Sequence, residues 1–178
     1  MRTIVYLLCT LLTFIVMMVS CNAEPSLQKY FVEKNDRQNF VTLDIGRGLI
    51  KNDSVSLSPE QDKSLETLEK INVLIYKGVG PEFEKEKATV KSLLSSGKYD
   101  ELMKMGSKGQ GASVNLLGQS ENIEEFVVFA YKDSTGFGVI RVLGNGMTTN
   151  DVMNIVSVIN QSGLNMKELK PLEDIMKK

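Results

Sequence analysis

The stretch Glu125–Gly144, EFVVFAYKDSTGFGVIRVLG, decides how this chain folds. Phe126 to Lys132 and Phe137 to Leu143 are rich in β-branched and aromatic residues, and Asp133-Ser134-Thr135-Gly136 between them has the length and composition of a hairpin turn. Two antiparallel strands are therefore expected. Just beyond them, Thr148-Thr149-Asn150-Asp151 caps a helix whose Val152, Ile155, Val156 and Ile159 recur at i, i+3, i+4 and i+7, an apolar stripe that can pack on a sheet. Gly163 ends that helix, and Leu169 to Met176 reads as a helical tail.

Working back from the hairpin, Ala112 to Gly118 reads as another strand and Gly106 to Gly111 as a flexible break. Tyr99, Leu102 and Met103 suggest a short helix. A longer helix is expected from Pro81 to about Ser95, with Phe83, Val90, Leu93 and Leu94 inward and Glu82, Glu84, Lys85, Glu86 and Lys87 largely in water. Val73-Leu74-Ile75-Tyr76 is apolar on both faces and so belongs inside a sheet. Ser58-Pro59-Glu60-Gln61 is a capping box with proline at the first helical position, opening a helix to about Lys70. Lys51 to Ser58 is a polar surface connection, Phe40 to Ile45 an alternating half-buried strand, and Leu27 to Lys34 a short helix. Helices intervene early and strands run together late. The class is α+β: a mostly antiparallel sheet of about five strands with helices on one face, for which a ferredoxin-like variant is one arrangement.

The N-terminus carries an address. Arg2 is a small basic n-region, Ile4 to Val19 is an apolar run short for a comfortable membrane span, and Val19-Ser20 places slim residues before Cys21. That order is a lipoprotein signal over residues 1–20, cleaved between Ser20 and Cys21, with acyl groups such as palmitate on Cys21. Met18 departs from the usual leucine of such a box. Two or three acyl chains, at about 0.8 kcal/mol per buried methylene, hold a protein to a bilayer far better than one. Residues 21–26 then form a lipidated tether and 27–178 a single α+β domain. The alternatives are a transmembrane anchor or a secretory cleavage after Ala23.

Composition narrows the chemistry. Roughly 160 residues after the leader suffice for one domain with a proper core. Loss of Arg2 with the leader moves the net charge only from −1 to −2, which gives no broad field to attract nucleic acid. Cys9 leaves with the leader and Cys21 carries the lipid, so packing alone must stabilise the domain. Without a single histidine the chain cannot build a Ser-His-Asp triad, a Cys-His dyad or a histidine-containing zinc site, and no metal site or cofactor is expected.

Five Gly-x-Gly pieces begin at Gly46, Gly78, Gly109, Gly136 and Gly144, yet Lys51, Phe83, Val114, Arg141 and Thr149 stand where a dinucleotide fingerprint needs its third glycine. Only Gly144-Asn145-Gly146, ahead of the capped helix, offers the geometry of an anion-binding turn, and Asp151 competes for that positive end. Glu124-Glu125 and Asp44 with Asp133 are carboxylates capable of acid–base work, though their spacing carries no information. Leu102-Met103-Lys104-Met105 reads first as core filling and second as an adaptable binding surface. Arg141 and Lys132 are expected on the solvent side of the hairpin.

With Cys21, the strand FVTLDIG, the helix and strand LETLEKINVLIY, the hairpin and the capped helix TTNDVMNIVSVI, the chain resembles the Bacteroidetes lipoprotein family designated domain of unknown function 4252. The resemblance implies a small α+β envelope lipoprotein without an assigned activity or ligand. The expected function is a noncatalytic module in a Gram-negative envelope, held by its N-terminal lipid to the outer (or inner) membrane and binding a protein, such as an envelope protein, or a small ligand. The rivals are a small envelope enzyme using carboxylate or Ser/Lys chemistry and an envelope-sensing component.

Overall fold

Strand β2, Leu68–Lys77, is the axis around which the chain is built. The computed structural model describes residues 24–50 and 56–161; Ser20, Cys21, Gly163 and the tail Leu169 to Met176 lie outside them. In chain order come α1 (Leu27–Lys34), β1 (Phe40–Gly46), α2 (Arg47–Ile50) and α3 (Pro59–Thr67), then β2 and α4 (Pro81–Leu94). The remainder is β3 (Asp100–Ser107), β4 (Gln110–Gln119), β5 (Asn122–Lys132), β6 (Gly136–Met147) and α5 (Thr149–Gln161). The strands form one six-stranded sheet in the order β1-β2-β6-β5-β4-β3, antiparallel throughout. After β2 the chain crosses through α4 to the far edge and returns strand by strand until β6 closes against β2.

The capping box behaves as its residues dictate. Ser58 Oγ accepts from the Gln61 amide at 3.2 Å, and Gln61 Oε1 accepts from the Ser58 amide at 2.9 Å. The helix stops at Thr67, three residues before its expected end, because Lys70 and Ile71 pair with Gly46 and Ile45 of β1. Ladder formation and burial of Leu68 and Ile71 override the helical propensity of Leu-Glu-Lys.

Alternation along β2 divides the core in two. Ile71, Val73 and Ile75 pack with Ile50 of α2, Leu65 of α3, and Val152, Ile155 and Val158 of α5. Leu74 and Tyr76 point the other way, into a second cluster with Leu27, Tyr30 and Phe31 of α1 and Phe83, Val90 and Leu93 of α4. Helices therefore cover both faces of the sheet, and the expectation of a single covered face is corrected. A strand apolar on both sides leaves no alternative, since each exposed Leu or Ile would forgo about 1.5–3 kcal/mol of burial. On α5, Val158 lies inward where the stripe had placed Val156, which is 39% exposed.

Of the segment expected as a short helix, Leu102 and Met103 belong instead to edge strand β3, which starts just after Tyr99, and a bulge between Glu101 and Met103 carries Leu102. Pairing with β4 supplies backbone partners that so short a helix could not offer. Gly106 to Gly111 is no loose break. Ser107 faces Gln110 across the two-residue turn Lys108-Gly109, with Gly109 at φ +76°.

Gly136 closes the β5–β6 turn at φ +141°, and a Cβ there would strike the Tyr76 carbonyl oxygen on the neighbouring strand. Both strain and overlap fall on backbone that cannot retreat without breaking the β2–β6 ladder. Gly136→Ala should lower unfolding free energy by about 3 kcal/mol or more, read by urea titration followed by circular dichroism. A change below about 0.5 kcal/mol would contradict this account of the turn.

Candidate functional site

The outer strands carry apolar side chains beyond the reach of the helices. On the face that α3 and α5 cover, Met103, Val114, Val128, Ile140, Val73 and Leu43 form one cross-strand row. Met105, Ala112, Ala130, Gly138, Ile75 and Val41 form the next. The inner members Leu43, Val73 and Ile140 join the helix-covered core. Outward, Val114, Val128, Ala112 and Ala130 are half-exposed, while Met103 and Met105 reach 53% and 59%. Ala112 and Ala130 floor a shallow depression of about 420 Å³ with Met105 and Lys132 at its margin. Flexible, polarizable methionines around a small-residue floor suit an adaptable apolar contact. The preferred reading of this methionine segment as core filling is thus overturned. Its alternation, Met-Lys-Met, was the signal for a strand with one apolar side.

The opposite face of the same strands holds a buried polar cluster. Arg141 Nε and Nη2 donate to Glu125 Oε1 and Oε2 at 2.7 and 3.0 Å, with the two side chains 3% and 7% exposed. Arg141 Nη1 donates to Gln28 Oε1 at 2.8 Å, and its guanidinium lies over the Phe31 ring at 5.0 Å. Tyr99 donates to Glu125 Oε1 at 3.1 Å; burial, then the Glu125 carboxylate, raises the Tyr99 hydroxyl above its ordinary pKa and keeps it a donor. A cavity of about 190 Å³ beside Arg141 and Glu125 is bordered by Pro25, Ser26 and Leu27, where the chain enters α1.

Arg141 was expected in solvent and is buried, because it follows Phe137 and Val139 on the side of β6 that faces α1 and α4. Lys132 is half-exposed and borders the shallow depression, away from Arg141. Glu124 falls in a bulge of β5 and is exposed, whereas its neighbour Glu125 is buried. Asp44 accepts from Asn72 Nδ2 on β2, whereas Asp133, in the β5–β6 turn, accepts from Lys87 Nζ at 2.8 Å, so neither carboxylate pair converges. Glu86 and Lys87, expected in water, are 7% and 8% exposed. Glu86 is held by Tyr30 Oη at 2.8 Å and Lys34 Nζ at 2.6 Å, and Lys87 by Asp133 and Glu84. Burial works against the Lys87 charge, but those two carboxylates outweigh it and raise its pKa.

Gly144, Asn145 and Gly146, expected as an anion-binding turn, lie within the last residues of strand β6, with Gly146 at φ +65°. Asp151 occupies the positive end of α5: its Oδ2 accepts from the Thr148 amide and hydroxyl, both at 2.8 Å, and its Oδ1 from Ser64 Oγ at 2.7 Å. Among the described residues no group of three or more Cys, Asp or Glu could hold a metal ion, and no helix is long and apolar enough to cross a membrane.

Burial alone would raise the Asp151 pKa, but the Thr148 and Ser64 hydrogen bonds, helped by Lys63, hold it below the ordinary value. A carboxyl depressed on folding stabilises fully above its unfolded pKa and ceases to do so as pH falls through its folded one. Asp151→Ala should therefore cost about 1 kcal/mol at pH 7 and progressively less as the pH drops below about 4. Thermal melts at the two pH values check this, and a pH-independent difference would refute it.

Removing one member of the buried pair strands the other. Arg141→Leu or Glu125→Leu should each cost about 3–5 kcal/mol, while the double replacement should recover much of that loss. Additive losses in denaturant titration would mean that the pair is not coupled.

No curated protein and no solved structure matches the chain. One family model does, over residues 30–155, a span that takes in all six described strands and α2 to α4. The chain belongs to the family described as Domain of unknown function (DUF4252).

Proposed function

We propose that this protein is a lipid-anchored module of a Gram-negative envelope, joined through Cys21 to the outer (or inner) membrane and acting by contact with an envelope protein. The leader Ile4 to Val19 followed by Cys21 supports the anchor. The observation that carries the binding role is the pair of apolar rows running out from under α3 and α5 to Met103 and Met105. An apolar surface of this kind, bordered by Lys132 and the Lys108 turn, is the usual form of a protein contact. The enzymatic alternative would draw on Arg141 or Lys132 beside paired carboxylates, whereas Arg141 is engaged with Glu125 and Gln28 and Lys132 lies elsewhere.

Two measurements test this reading. Mass spectrometry of the mature N-terminus should find an acylated Cys21, and Cys21→Ala should release the protein from the membrane fraction; an unacylated start elsewhere overturns the anchor. A photo-crosslinking residue at Met105 should capture one envelope protein, whose binding to the purified chain Met103→Lys/Met105→Lys weakens about tenfold. Capture no greater than from a probe at exposed Lys85 of α4 would remove the binding surface.

A further inference from the structure

Beyond the contact with another protein, edge strand β3 has the form of a self-complementary seam. It ends the sheet, pairs only with β4, and is exposed at every one of its positions from Asp100 to Ser107. Its outer backbone edge therefore faces no strand among the described residues. Natural sheets guard such edges with lysines and bulges, and β3 carries both, Lys104 and the irregularity at Leu102. A guard of this sort excludes an indiscriminate strand but admits one that sets a carboxylate opposite the lysine. β3 itself supplies that strand. Glu101 and Lys104 lie on the same face, since their partners Asn115 and Ser113 are two apart on β4, and they pair with each other at 3.1 Å while remaining 45% and 69% exposed.

We infer that two copies of this chain pair antiparallel along β3, about a two-fold axis passing between Leu102 and Met103. This register sets Glu101 of each copy opposite Lys104 of the other, twice by symmetry, and sets Leu102 against Met103. Neighbouring registers fail: an axis through Lys104 opposes two lysines, and one through Met103 opposes Glu101 to Met105. The chosen register also brings Leu102, 56% exposed, and Met103, 53% exposed, from both copies to one centre, where two apolar surfaces leave water together. The pairing is isologous, so it closes at two copies and does not propagate as an open sheet. It does not depend on whether Cys21 carries lipid.

Sedimentation velocity of the purified mature chain in density-matched detergent, over a dilution series, tests the seam. The expected result is a reversible monomer–dimer equilibrium that Glu101→Lys or Lys104→Glu weakens about tenfold or more, because each reversal places like charges opposite one another twice. The double variant E101K/K104E restores the arrangement with its signs exchanged and should return the dimer to within about threefold of the parent affinity. Far-UV circular dichroism of all four proteins should coincide, these side chains being exposed. A monomer at every concentration overturns the inference. So does a dimer indifferent to either single reversal, which would seat the second copy elsewhere, or a double variant as weak as the singles.

Discussion

Burial of one strand on both faces and both edges is the constraint from which the rest of the structure follows. β2 gives its backbone to β1 on one side and β6 on the other, and Val73, Leu74, Ile75 and Tyr76 are each no more than 2% exposed. Such a strand needs two helical layers, so α1 and α4 must lie on one face and α2, α3 and α5 on the other. It also needs a partner made late in the sequence, since β6 reaches it only after α4 has carried the chain to the far edge and three strands have brought it back. Closure of β6 on β2 is thus a long-range event whose loop entropy must be met by the packing of both cores together.

The helices suffice for β1, β2, β6 and β5 and leave much of β4 and all of β3 uncovered, and this inequality produces both exposed features of the molecule. Where α3 and α5 end their cover, the apolar rows continue into Val114 and Met103 without a lid. On the reverse face, α4 and α1 end over a polar cluster whose charges are satisfied within the chain, by Glu125 for Arg141 and by Tyr99 and Gln28 around them. One side of these strands is therefore left apolar and open, and the other has its charges closed upon one another.

Much of this was legible from residue patterns. The hairpin, the capping box at Ser58 and helix α1 follow from local chemistry, because turn residues, caps and short amphipathic stripes act within a few positions of one another. The two-sided apolarity of Val73 to Tyr76 already demanded two layers, and the one-face expectation ignored it. What was hidden is what distant partners decide. Leu102 and Met103 have good helical propensity and became strand because β4 lay beside them. Arg141 and Glu86 read as solvent charges until Glu125, Tyr30 and Lys34 arrived from other elements to accept their burial. The candidate surface was legible as a stretch of methionines, but its exposure depended on where the helices ran out.

The way α1 is fastened bears on mechanics. Gln28 reaches β6 through Arg141, Tyr30 and Lys34 grip α4 through Glu86, and Glu24 meets Lys98 beyond α4 at 2.7 Å. Any tension applied to the chain ahead of Leu27 is thereby shared among several side-chain links that must give way together, and it reaches the central sheet and α4 at once. A helix tied at separate points to β6 and to α4 spreads such a load over two elements of the core instead of one.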